Sequence, residues 1–168
     1  MKNLFAKAMD WKIMFDLGVG KTQFPAEIIE TNGGVGSRPD GVIWSMSTKV
    51  VLWIELTCPW EDNMSKWHFW KNAKCSQLKI NCEAKGWKVH PLCVEVGCRG
   101  YVAESFHRMC KVLGFTKKEQ QALKLDVEKT AKHCSHYIFW HRYQKHWEPK
   151  PPLDVSKWSA PIDVSWSA

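Results

Sequence analysis

Asp40 and Glu55 are the two residues whose types and spacing could do chemistry together. They flank a polar stretch, residues 45–49, that separates the apolar runs Gly-Val-Ile-Trp and Val-Val-Leu-Trp-Ile. This reads as strand, turn, strand. With the turn centred between Ser47 and Thr48, opposed residues have numbers that sum to 95, so Asp40 faces Glu55. Directly opposed residues share a face, with Cβ atoms about 5 Å apart. Two carboxylates that close repel unless a cation joins them. Hard oxygen ligands suit Mg2+ or Mn2+, and such an ion polarises a phosphate and activates a water. The plainer reading of Asp40 is a solvated strand terminus, since it follows Pro39 in a common turn arrangement. Glu55 is different. It interrupts Val-Val-Leu-Trp-Ile-Glu-Leu, a run apolar enough to be buried on both faces, where a lone ionised carboxylate is costly. The pairing depends on register, because a slip of one residue would separate the two acids.

The elements around this hairpin follow from pattern and punctuation. Residues 2–16 read as a short amphipathic helix, residues 24–29 as a short strand containing Glu27, and residues 31–37 as a Gly-rich loop. Pro59 ends the second hairpin strand. Residues 61–85 are helix-compatible, with Gly86 as a C-cap signal. Residues 87–96 read as a strand, 97–100 as a turn, and 101–113 as a helix with an apolar stripe. Thr116 N-caps a last helix, with Glu119 placed for a capping box, running to about residue 147. The expected fold is α/β (α+β), a mixed central sheet flanked by helices, in one domain over residues 1–147. In the Pro/Ser/Trp-containing tail, residues 148–168, Pro152-Leu-Asp-Val-Ser-Lys-Trp-Ser-Ala is nearly repeated as Pro161-Ile-Asp-Val-Ser-Trp-Ser-Ala. It reads as an unstructured extension without chemistry. Gly18-Val-Gly-Lys-Thr22 is not a phosphate-binding P-loop: Phe15 stands where the first Gly is required, and no strong apolar strand precedes it.

Composition narrows the partners. Lys and Arg outnumber Asp and Glu by 24 to 17, a formal charge of +7 over 168 residues. A basic surface favours polyanions, with nucleic acid the default and solubility alone the plainer account. No apolar run approaches a membrane span, so no membrane partner is expected. Seven cysteines without a CxxC and without a secretory signal argue for free thiols in a reducing compartment, nuclear or cytoplasmic. His133, Cys134, His136, His141 and His146 form a His-rich stretch whose spacing fits no standard zinc finger. They read as ordinary helix residues. Eleven tryptophans belong mostly to a core, but Trp60, Trp67 and Trp70 follow the second hairpin strand closely enough to touch bases or sugars.

The string Pro39-Asp40 … Glu55-Leu56-Thr57 resembles the PD-(D/E)XK nuclease superfamily. Over residues 24–147 the chain is similar to the restriction-like endonuclease domain of site-specific non-LTR retrotransposon polyproteins. The resemblance rests on Phe24-Pro-Ala-Glu-Ile28, Arg38-Pro-Asp40, Glu55-Leu-Thr-Cys-Pro-Trp-Glu61, Ala73-Lys74, Gly86-Trp87 and Val94-Glu-Val-Gly-Cys-Arg-Gly100. It implies a divalent-metal-dependent DNA endonuclease on a PD-(D/E)XK core. Asp40, Glu55 and the backbone carbonyl of Leu56 would hold Mg2+ or Mn2+. Thr57 stands where most of the superfamily has its Lys, and Lys74 on the following helix would take that part. Cys75 follows it where many relatives have an aromatic. Glu27 stands as a candidate additional metal-shell acid, and Glu95 as a second accessory. For both, a structural or solvated role is the plainer reading. Arg38, Lys71 and Arg99 are the residues expected to contact DNA phosphates. The resemblance also implies a partner reverse transcriptase domain, or a parent polyprotein. The rival reading is a catalytically silent DNA-binding or protein-interaction module derived from such a nuclease.

Overall fold

The computed structural model describes residues 4–16, 24–29 and 39–143. Among them, four strands form one sheet in the order β1 (Trp11–Phe15), β2 (Gly41–Ser45), β3 (Val50–Thr57) and β4 (Lys88–Glu95). β1 pairs with β2 and β2 with β3 antiparallel, and β4 is parallel to β3. A parallel neighbour needs a crossover. Helix α1 (Met64–Ala84) makes it, and α2 (Glu104–Val112) and α3 (Lys117–His141) follow β4. The result is a mixed sheet with helices, as the order of patterns predicts. No helix is long and apolar enough to cross a membrane among the described residues.

Each face of the sheet has its own core. Val42 and Trp44 of β2 and Val51 and Trp53 of β3 pack with Cys75, Leu78 and Cys82 of α1. On the other face, Ile54 and Val94 pack with Val102, Phe106, Met109 and Cys110, and with Ala131 of α3. Side chains alternate between faces along a strand, so Glu55 shares the α1 face with Val51 and Trp53. The helices stop where backbone chemistry tells them to. Gly86 (φ 80°) closes α1, with Gly86 N–H donating to the Glu83 carbonyl and Trp87 N–H to the Cys82 carbonyl. That pairing is a Schellman C-cap. At the start of α3, Thr116 and Glu119 cap each other reciprocally.

Two expectations at the N-terminal side are corrected. Residues 2–16 do not form one helix: Leu4–Lys7 is a 3-10 turn and Trp11–Phe15 is strand β1. The reason is tertiary. The outer edge of β2 presents N–H and C=O groups that need partners, and Trp-Lys-Ile-Met-Phe has the β propensity to supply them. Residues 24–29 are not a strand either. Pro25 lacks an N–H for a ladder, its carbonyl accepts from Ile28 N–H at 3.0 Å, and Phe24 and Ile28 are buried beside α1 through a turn. Arg38, Gly18 to Thr22 and the tail 148–168 lie outside the described residues.

Candidate active site

The hairpin register is the one expected from the turn. Gly41 pairs with Ile54, Val42 with Trp53 and Ser45 with Val50. Continued by one residue, it sets Asp40 opposite Glu55. Both carboxylates reach one ammonium: Lys71 Nζ lies 2.5 Å from Glu55 Oε2 and 3.9 Å from Asp40 Oδ2. Glu55 is fully buried, while Asp40 is part exposed at the rim of the sheet. Lys74 Nζ stands 3.6 Å from the other Glu55 oxygen, and the Cys75 thiol 3.5 Å from the same atom. The three α1 residues are spaced so that one helical flank overlies Glu55.

Pro39 explains the backbone part of the site. Along β3, alternate residues bond to β4, as Lys49 and Thr57 do through their carbonyls. Leu56 therefore turns its N–H and C=O toward β2, where Pro39 stands opposite. Pro39 has no N–H to donate, so the ladder bond to the Leu56 carbonyl cannot form. The Leu56 N–H instead donates to Asp40 Oδ2 at 2.6 Å. The Asp40 carboxylate is thus pinned to the backbone of β3.

The electrostatics are those of a closed ion cluster. Burial works against the Lys71 ammonium, but the hydrogen bond and charge of Glu55, with Asp40 behind it, hold its pKa above the ordinary lysine range. Burial, then the Glu55 charge, pushes the Cys75 thiol up to about 12, so it stays protonated. Asp40, Glu55 and the Leu56 carbonyl are a hard oxygen set fit for Mg2+ or Mn2+. They are fewer than a complete cage, and no group of three or more His, Cys, Asp or Glu able to hold a metal occurs among the described residues. That is compatible with Mg2+, which keeps several waters.

Other expected residues fall elsewhere. Lys71, expected on a phosphate-binding rim, is drawn to the centre because buried Glu55 needs a cation. Glu27 is not brought to the pair. It accepts from Lys12 Nζ at 2.7 Å and from Trp44 Nε1 at 3.0 Å. Trp44 is four residues along β2 from Asp40, about 13 Å of strand. Glu95 is buried, with its oxygens accepting from Ser105 Oγ at 2.6 Å and contacting His68 Nδ1 at 2.8 Å. Arg99 is exposed but engaged: its Nε and backbone N–H donate to Glu61 at 2.8 and 2.9 Å, and its guanidinium lies over the Trp60 ring.

Glu61 is the residue sequence reasoning passed over. It ties the Pro59-Trp60-Glu61 string to the Gly97 to Gly100 turn, helped by Cys98 N–H donating to the Pro59 carbonyl at 2.9 Å. A Cβ at Gly97 would come within 2.5 Å of Glu61 Oε1, so a larger residue there would push the Glu61 side chain out of its present place. The available signal was an acid just before a helix and a Gly-flanked Arg after the next strand. Set against protein families, curated proteins and solved structures, the chain matches none.

Proposed function

We propose that this chain is a divalent-metal-dependent DNA endonuclease with a PD-(D/E)XK core, related to the nuclease domains of retrotransposon polyproteins. The observation that carries the reading is a fully buried Glu55 opposite Asp40, both reaching one cation, at the end of β3. Buried charge of this kind is costly unless a cation is held beside it. In this reading Asp40, Glu55 and the Leu56 carbonyl would hold the ion, which would supply Lewis-acid polarisation of the phosphate and a more acidic water. Lys74, half exposed at 3.6 Å from Glu55, orients the phosphate and offsets its charge. Lys71, 2.5 Å from Glu55 Oε2 and 3.9 Å from Asp40 Oδ2, would have to give up its contacts with them for the ion to be held. A reverse transcriptase domain or parent polyprotein would deliver the DNA.

The test is nicking of supercoiled plasmid with Mg2+ or Mn2+, comparing wild type with Asp40→Asn. Cutting by wild type alone supports the reading, and equal behaviour of the two sinks it. The 2.5 Å Lys71–Glu55 contact favours the second reading, a catalytically silent DNA-binding module, because the lysine already neutralises the buried acid. That reading expects DNA binding without cutting at any metal concentration.

A further inference from the structure

Helix α1 buries only Cys75, Leu78 and Cys82. Its N-terminal half carries the larger apolar side chains, and they point outward. Trp67 is 46% exposed, Trp70 58% and Phe69 69%. Trp67, Trp70 and Lys74 are three and four residues apart, so they form one continuous flank, and Lys74 ends it at Glu55, 3.6 Å away. Lys66 lies one turn before Trp70. Between Met64 and Lys74 there are three lysines and no acid. Large aromatics interleaved with cations, and leading to a carboxylate pair, are the composition of a stacking platform for an unpaired polyanion. A duplex keeps its base faces inside the stack and has none to offer. Trp60 is a poorer platform, since the Arg99 guanidinium already covers its ring at 4.6 Å.

We propose that the Trp67–Trp70–Lys74 flank of α1 is a track for single-stranded DNA, on which unpaired bases stack as the backbone passes toward Asp40 and Glu55. Binding to the track stands on the flank alone. Delivery of a strand to be cut rests on the nuclease reading.

The experiment measures binding of labelled oligo(dT) and of a duplex of equal length by fluorescence anisotropy, with the full chain and EDTA present. Trp67→Ala/Trp70→Ala should lose roughly tenfold or more of its oligo(dT) affinity, while duplex affinity changes little. Trp67→Phe/Trp70→Phe should recover most of it, because a smaller ring still stacks. Circular dichroism of both variants checks that the fold is kept. Unchanged oligo(dT) affinity overturns the proposal, as does an equal loss on duplex. Loss of self-association in the alanine variant, without a change in DNA affinity, overturns it too and makes the flank a contact between copies. Plasmid nicking by the same proteins separates the two ideas. Trp-dependent binding without cutting leaves the track standing and removes the nuclease. Cutting with unchanged oligo(dT) affinity does the reverse.

Discussion

Lys71 stands where an ion joining Asp40 and Glu55 would stand, and that makes it the informative residue to remove. Glu55 is fully buried and Lys71 is its closest cation. Taking one partner from a buried pair costs about 3–5 kcal/mol. Lys74 remains 3.6 Å away, so Lys71→Met should fall at the low end, near 3 kcal/mol. Added Mn2+ should then raise the melting temperature of Lys71→Met more than that of wild type, because the ion no longer competes with an ammonium. Differential scanning fluorimetry with and without Mn2+ reads both. Equal metal responses would mean the carboxylates do not share an ion. Lys74→Ala belongs to the same scale with a different signature. Its residue is half exposed, so stability should hold, while cutting slows by about 10²- to 10⁴-fold, the usual range for a positioning or acid–base group. Unchanged turnover in single-turnover assays would remove Lys74 from the mechanism.

The hairpin is the element that sets the geometry, and its tip is tied down from outside. Asp10, just before β1, accepts hydrogen bonds from Ser47 Oγ at 2.6 Å, Ser45 Oγ at 2.7 Å and Ser47 N–H at 2.9 Å. Those bonds favour its ionised form and hold its carboxyl well below the ordinary value. A carboxyl depressed in the folded state contributes stability above its unfolded pKa, about 3.9, and loses it as pH falls toward the folded value. The melting temperature of Asp10→Ala should therefore lie below wild type by a constant gap at neutral pH. The gap should narrow below about pH 4. A gap independent of pH would assign the loss to packing. Legibility in the sequence divides along the same line between local and distant causes. The register, the Schellman glycine after α1 and the Thr116 capping box were readable because each is written in adjacent residues. Strand β1 was not, since Trp11 to Phe15 becomes a strand only by meeting β2, some 30 residues on in the chain. Lys71 was visible as a charge but not as the partner of Glu55, because helical phase over a strand is set by packing. Glu61 was hidden for the same reason, since its partners lie on a turn beyond β4.

For the whole molecule, the arrangement puts two acids at one end of the sheet, under a helix whose exposed N-terminal half is basic, in a chain of net charge +7. Such a surface should bind DNA with an affinity that salt weakens. On duplex DNA, log affinity falls with log salt at a slope of about −0.9 per phosphate contact. Lys74→Ala should reduce that slope by about one contact and weaken all sequences alike, because phosphate contacts carry no base information. Arg99→Ala should change the slope less, since Glu61 already engages that guanidinium at 2.8 Å. Asp40→Asn runs the other way. It removes a negative charge from the site, so without metal it should leave the slope alone and bind slightly tighter. Fluorescence anisotropy titrations of one duplex at several KCl concentrations, with EDTA, measure all four proteins. A wild-type affinity independent of salt would remove DNA as the proposed partner, because a basic helix over two acids would then make no phosphate contacts.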